Sequence, residues 1–243
     1  MKKLFLFTLL AIAAISFNAC SKDETWPDDS PIIEFKDSYF LEALVSTDND
    51  DGSKIDKNGD GKISEKEASV VRSLTLSDFN IRCVDEISYF TALIALICDN
   101  TQLTSLDMSR NTELKELFCR DNNQLTSLDV SKNTKLTHLD CDNNQLTSLD
   151  LSKNTELGWL YCNNNQFTSL DVSKNTKLAY LDCDNNQLTS LDLSKNTELN
   201  GLNCSGNNLK SVILQRNIDY RLLPSLEAIW NEYGDIITYV YVD

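Results

Sequence analysis

The residues with the most chemical potential lie between positions 56 and 67. Asp56, Asn58 and Asp60 place side-chain oxygens at every second residue, Ser64 adds a hydroxyl, and Glu67 ends the run. A chain that curls through such a run turns its oxygens inward, and six to eight oxygens are the coordination set of Ca²⁺. Gly61 permits the sharp turn, and Ile63 is placed to enter a core. Ser64 and Glu67 also have capping-box spacing, which accounts for those two residues without an ion. It accounts for none of Asp56, Asn58, Asp60 or Gly61.

Positioning that loop takes two helices. Asp56 to Glu67 resembles an EF-hand loop at each constrained position. The resemblance implies that Lys62 gives its backbone carbonyl, that Ser64 binds directly or through water, and that Glu67 closes the sphere with both carboxylate oxygens. It also implies a helix on either side. An incoming helix fits Phe35 to Val45, with Phe40, Leu41, Leu44 and Val45 apolar. An outgoing helix would run through Ala68, Val70, Val71 and Leu74. Asp48 to Ser53 intervenes between the first helix and the loop, and no second loop is present to pair with. The resemblance therefore implies a fixed structural ion rather than a sensor, held at ~10⁻⁴ to 10⁻³ M as in extracellular modules.

Beyond the loop the sequence repeats itself. The string from Leu136 through Leu139, Cys141, Asn144 and Leu146 returns from Leu157 and Leu178, with earlier copies from Leu93 and Leu114 and a degraded one from Leu199. The spacing is 21 residues except between Leu114 and Leu136, where one extra residue is expected near Arg120-Asp121. A weaker unit, Val71 to Leu76 with Ile81, precedes them. Leu at the first, fourth and eleventh positions and Cys at the sixth put four apolar groups on one side of each coil, which only stacking can bury. Leu139 and Cys141 alternate as in a strand, and parallel strands ~4.8 Å apart would make seven coils roughly 29 Å long. Cys98, Cys119, Cys141, Cys162, Cys183 and Cys204 share one core register. In-register parallel strands point them the same way, a poor geometry for bridging, so a reduced ladder of small hydrophobes is expected.

This string resembles the leucine-rich repeat, over Val71 to Leu214. The resemblance implies a mainly β solenoid: a curved coil with a parallel β ladder, a small α-helical EF-hand-like segment before it and a C-terminal cap after it. It also implies that Asn144, Asn165, Asn186 and Asn207 satisfy backbone groups after each strand, with Thr101 leaving the first rung weak.

Outward residues vary while this frame stays constant. The third positions are Ala95, Glu116, His138, Trp159, Tyr180 and Gly201; the fifth are Ile97, Phe118, Asp140, Tyr161, Asp182 and Asn203. They share the concave sheet face, the usual binding surface of solenoids. Phe118, His138, Asp140, Trp159, Tyr161, Tyr180 and Asp182 are the candidate ligand contacts, with Asp142 and Asp184 beside them. Aromatics next to carboxylates suit a basic peptide or a stacked sugar. Cross-strand packing that stiffens the sheet is the alternative. Asp129, Asp150, Asp171 and Asp192 form another row, each followed by a lysine three residues on, so mutual screening is expected. His138 is the only histidine and has no recurring nucleophile beside it, so an enzyme is not expected.

The N-terminus reads as a targeting segment. Lys2 and Lys3 precede an apolar run, Leu4 to Ile15, too short to span a bilayer, as in a signal peptide. Phe17-Asn18-Ala19-Cys20 resembles a lipobox, whose cysteine is acylated, and Ser21-Lys22-Asp23-Glu24 is similar to the export tag of surface lipoproteins in certain Gram-negative anaerobes. The plan is then a signal peptide over 1–19, lipidated Cys20 and linker over 20–33, the EF-hand-like segment over 34–70, the solenoid over 71–214 and a cap over 215–243. Within the cap, Leu223 to Tyr233 reads as a helix and Ile236 to Val242 as an edge strand. A net charge of −15 argues against nucleic acid or an anionic membrane surface as partner. The expectation is a non-catalytic binding lipoprotein, anchored in the outer membrane and facing the cell exterior. It would carry structural Ca²⁺ and recognise a protein or peptide, with carbohydrate as the alternative.

Overall fold

The computed structural model describes residues 29–48, 52–215 and 237–240. The expected signal peptide, Cys20, the export-type tetrapeptide and the helix at Leu223 to Tyr233 lie outside the described residues. Two short helices come first. Helix α1 (Ser38–Ser46) starts later than Phe35 because Asp37 caps it, its carboxylate accepting the Tyr39 amide at 2.9 Å. Helix α2 (Glu65–Ser69) begins at the capping box formed by Ser64 and Glu67. It is five residues long, so the expected continuation to Leu74 does not occur. Adjacent β-branched Val70 and Val71 are poor helix formers. Leu74 is instead drawn into a strand, in register with Leu96.

Seven strands of three residues stack in parallel: β1 (Ser73–Thr75), β2 (Ala95–Ile97), β3 (Glu116–Phe118), β4 (His138–Asp140), β5 (Trp159–Tyr161), β6 (Tyr180–Asp182) and β8 (Gly201–Asn203). A five-residue 3-10 helix (Asp85–Tyr89) links the first two. The register aligns Leu74, Leu96, Leu117, Leu139, Leu160, Leu181 and Leu202. These leucines, their partners at the first and eleventh positions and the six sixth-position cysteines form one continuous buried core. Cys98, Cys119, Cys141, Cys162 and Cys183 are free, as expected, and burial raises their thiol pKa values. A second parallel sheet comprises β7 (Leu191–Asp192), β9 (Val212–Gln215) and β10 (Ile237–Val240). The expected C-terminal edge strand is therefore present over 237–240. In earlier coils the same half-unit gives only a single bridge, between Asp107 and Asp129.

Each coil turns after its strand on a residue with positive φ. Asn100, Asp121, Asn143, Asn164 and Asn185 have φ of 50–58°, which Asn and Asp tolerate, and Gly206 takes the position at 64°. The next residue anchors the turn. Asn144 donates to the carbonyls of Cys119, Cys141 and Asp142, and Asn165, Asn186 and Asn207 repeat the pattern. Asn122 belongs to this ladder too, donating to Cys98, Cys119 and Arg120. The extra residue of that repeat therefore lies after Asn122, at Asn123-Gln124, and not near Arg120-Asp121. Thr101 reaches one backbone carbonyl, that of Cys98, and the Asn122 side chain, so the first rung is weaker.

The described residues before β1 pack on the N-terminal end of the repeat core. Ile33, Phe40, Leu44, Ile55 and Ile63 join the repeat core, and Phe40 packs 6.2 Å from Phe90. Asp37 accepts the Arg82 amide at 2.7 Å and Lys36 pairs with Asp85 at 2.6 Å. Ile33 donates to the Ile63 carbonyl and Glu65 to that of Pro31, both at 2.9 Å, so residues 31–33 form the antiparallel partner of the loop.

Candidate functional site

Alternation along each strand buries the leucine and turns its two neighbours outward. The third-position row gives Glu116, His138, Trp159, Tyr180 and Gly201 side by side; the fifth gives Phe118, Asp140, Tyr161, Asp182 and Asn203. The aromatics do not form a single cluster. His138 stacks on Trp159, ring centres 4.2 Å apart and planes 4° from parallel, and Tyr161 packs against Tyr180 at 5.0 Å. Phe118 stands apart from both pairs, because its row neighbours are Ile97 and Asp140. Tyr180 lies over Gly201, where any side chain would run into its ring. Trp159 keeps 38 % of its surface exposed, so packing has not consumed it.

Between the rings lies a group of carboxylates. Asp140 and Asp142 are buried, and Asp182 is half-buried beside Asp184. Burial pushes Asp140, Asp142 and Asp182 up to about 7, with Asp140 adding to the shift at Asp142 and Asp184 adding to that at Asp182. Arg120 works against the shift at Asp140, which it faces at 3.5 Å. Sequence reasoning missed Arg120, although it is the one base in the row Asp99, Arg120, Asp142, Asn163, Asp184, Ser205.

These carboxylates set a pH dependence. An acid whose folded pKa exceeds its unfolded value of 3.8 binds its proton more tightly in the fold. The stability it contributes is full below that value and is lost as pH rises through about 7. The thermal midpoint is expected to fall by several degrees between pH 5 and pH 8. In Asp142→Asn the slope flattens and the midpoint at pH 8 rises, as read by circular dichroism. The outer row behaves in the opposite sense. Asp129, Asp150 and Asp171 each accept the amide of the serine two residues on, at 2.8 to 2.9 Å, which lowers their pKa values. Their contribution is lost only at more acid pH, below the unfolded value. That row is thus a set of turn caps, and screening by lysine is secondary.

In the loop, Asp56 accepts the amides of Gly59, Asp60 and Gly61, Asn58 that of Asp60, and Asp60 that of Lys62. Gly59 and Gly61 sit at φ of 72° and 76°, and Ile63 is fully buried as expected. Glu67 is 1 % exposed and reaches back to the Lys57 amide at 2.7 Å and to Ser64. It makes no salt bridge among the described residues. The donors suit calcium in kind and order, yet among the described residues no three His, Cys, Asp or Glu side chains converge as a metal cluster. Binding an ion would require Glu67 to exchange the Lys57 amide for it.

In-register three-residue strands, an asparagine turn ladder and a leucine-cysteine core define a leucine-rich-repeat solenoid. A model of leucine-rich repeats in two copies matches residues 112–154. Among solved structures, the chain is similar to the functional domain of InlJ from Listeria monocytogenes, which includes a cysteine ladder: 31 % identity and a TM-score of 0.60, over 85 % of this chain and 45 % of that one. The chain thus spans less than half of the InlJ structure. Internalin C2 from Listeria monocytogenes shares the fold at 22 % identity and a TM-score of 0.62, over 85 % of this chain and 94 % of that one. A search of curated proteins gives no match.

Proposed function

We propose that this is a non-catalytic binding lipoprotein of the cell surface, held in the outer membrane through Cys20 and recognising a basic protein or peptide on its concave sheet face. The observation that carries the reading is one surface on which a constant frame displays variable residues. Trp159 is exposed there, Tyr161, Tyr180, Asp182 and Asp184 are half-buried beside it, and Asp140 and Asp142 lie beneath, buried. Aromatic anchors rimmed by charge are the usual makeup of a binding hot spot. The loop from Asp56 to Glu67, with Asn58, Asp60, Lys62 and Ser64, holds a structural Ca²⁺ in the cap. A carbohydrate ligand is the second reading, favoured by the exposed indole of Trp159, but four acids beside the rings favour a cationic partner. The test is a binding panel of basic proteins, basic peptides and glycans against the full chain. Trp159→Ala combined with Tyr161→Ala is expected to weaken the true ligand by about 30-fold or more, equivalent to losing about 2 kcal/mol at a hot spot. Unchanged affinity would move the site off this face.

A further inference from the structure

The repeats carry an internal example of how this face holds a cation. Arg120, at the seventh position of its coil, donates its amide to Asp99 Oδ1 at 2.8 Å. Its Nε and Nη2 reach Asp99 Oδ2 at 2.9 and 2.5 Å, and Nε lies 3.5 Å from Asp140 on the following coil. Two coils further on, Asn163 holds the equivalent position. Its amide donates to Asp142 Oδ1 at 2.8 Å and its Nδ2 to Asp142 Oδ2 at 2.6 Å, the same two contacts at nearly the same lengths. Asp182 stands where Asp140 stands for Arg120, because β4 to β3 is the same single step as β6 to β5. The difference is that Asn163 is short and neutral. Among the described residues no salt bridge reaches Asp142, Asp182 or Asp184.

Resting on the sheet face as the ligand surface, we infer that it takes an arginine side chain of its partner above Asn163, between Asp142 and Asp182, as Arg120 is held between Asp99 and Asp140. The planar guanidinium fits two carboxylates at once where a lysine ammonium is a single point, so arginine is the better occupant. Tyr161, at the end of β5 two residues before Asn163, and the Tyr180 ring 5.0 Å from it supply aromatic faces for the guanidinium plane. The arriving charge also favours ionised Asp142 and Asp182, which burial otherwise holds up to about 7.

The probe is a capped Gly-Ser-Arg-Ser-Gly peptide titrated into the full chain at pH 7.5 and followed by NMR, beside versions with lysine or citrulline in place of arginine. Shifts are expected at Tyr161, Asn163 and Asp182, with citrulline at least tenfold weaker and lysine between. Asn163→Arg rebuilds the Arg120 arrangement within the chain, so it should abolish arginine binding and raise the thermal midpoint. Asn163→Gln should retain binding, and Arg120→Gln should add a second site of similar affinity. Equal binding of arginine and citrulline peptides, or full binding by Asn163→Arg, would overturn the inference. If peptides then still shift Trp159 and Tyr180, the face remains a binding surface and only the arginine seat is wrong. If no peptide shifts any residue of the sheet, the reading of the face falls with it.

Discussion

Asn165→Ala should cost about 4 kcal/mol of stability, because it removes four buried hydrogen bonds at about 1 kcal/mol each and leaves the Leu146 amide without a partner, while the carbonyls of Cys141, Cys162 and Asn163 each keep one other donor. Its Nδ2 serves the carbonyls of Cys141, Cys162 and Asn163, and its Oδ1 accepts the Leu146 amide at 3.0 Å. A second asparagine ladder supplies the internal control. Asn111, Asn133, Asn154, Asn175 and Asn196 are fully buried, and each donates across to carbonyls of the preceding coil. Asn154 serves only Val130 and Asn133, and its own Oδ1 has no hydrogen-bond partner. Asn154→Ala removes that stranded oxygen along with the two contacts, so about 2 kcal/mol is expected. Urea denaturation of the two variants measures the difference. Equal losses would mean that stacking, and not the turn ladder, holds the coils in register.

The repeating core was legible because leucine and cysteine at fixed spacing leave one way to bury them, and the predicted ladder strands match at β1 to β6 and at β8. The first ladder was legible too, except at Asn122. There the doubled asparagine of Asp121-Asn122-Asn123 allowed two alignments, and only the carbonyls it reaches decide between them. The second ladder escaped notice because Lys132-Asn133 and its equivalents look like an ordinary polar turn. Burial of a polar residue by the next coil is a property of stacking and leaves no local signature. The outgoing helix was misread for the opposite reason. Val70, Val71 and Leu74 have helical spacing, but Leu74 and Leu76 have strand spacing, and pairing with β2 settled the contest. On the sheet face the rows were predictable, since period two fixes them. The ring pairs and the Arg120 pairing were not, since they depend on which side-chain lengths meet between neighbouring coils, across offsets of 19 to 21 residues.

Calcium should raise the thermal midpoint of the whole chain by roughly 5 to 10 °C. A site with a dissociation constant of ~10⁻⁴ M adds about 2.7 kcal/mol at about 10 mM free ion, and each kcal/mol is worth roughly 2 to 4 °C at this size. Glu67→Gln is the discriminating variant. Glutamine can keep the capping box with Ser64, so the helix start survives while one charged, bidentate ligand is lost. Without calcium the variant should melt slightly below the natural chain, because glutamine keeps only one of the two amides that the Glu67 oxygens accept, and its response to calcium should vanish. The gain should also be uneven along the molecule, since each coil of a solenoid touches only its neighbours. Amide exchange should slow most at Ile33, Ile63 and β1 and least at β8, because the loop is tied to the solenoid through Ile33, Ile55 and Ile63. A midpoint that is the same in calcium and in chelator would remove the ion, leaving the loop as a cap held by its own amides. A Glu67→Gln chain that still responds would place the ion elsewhere.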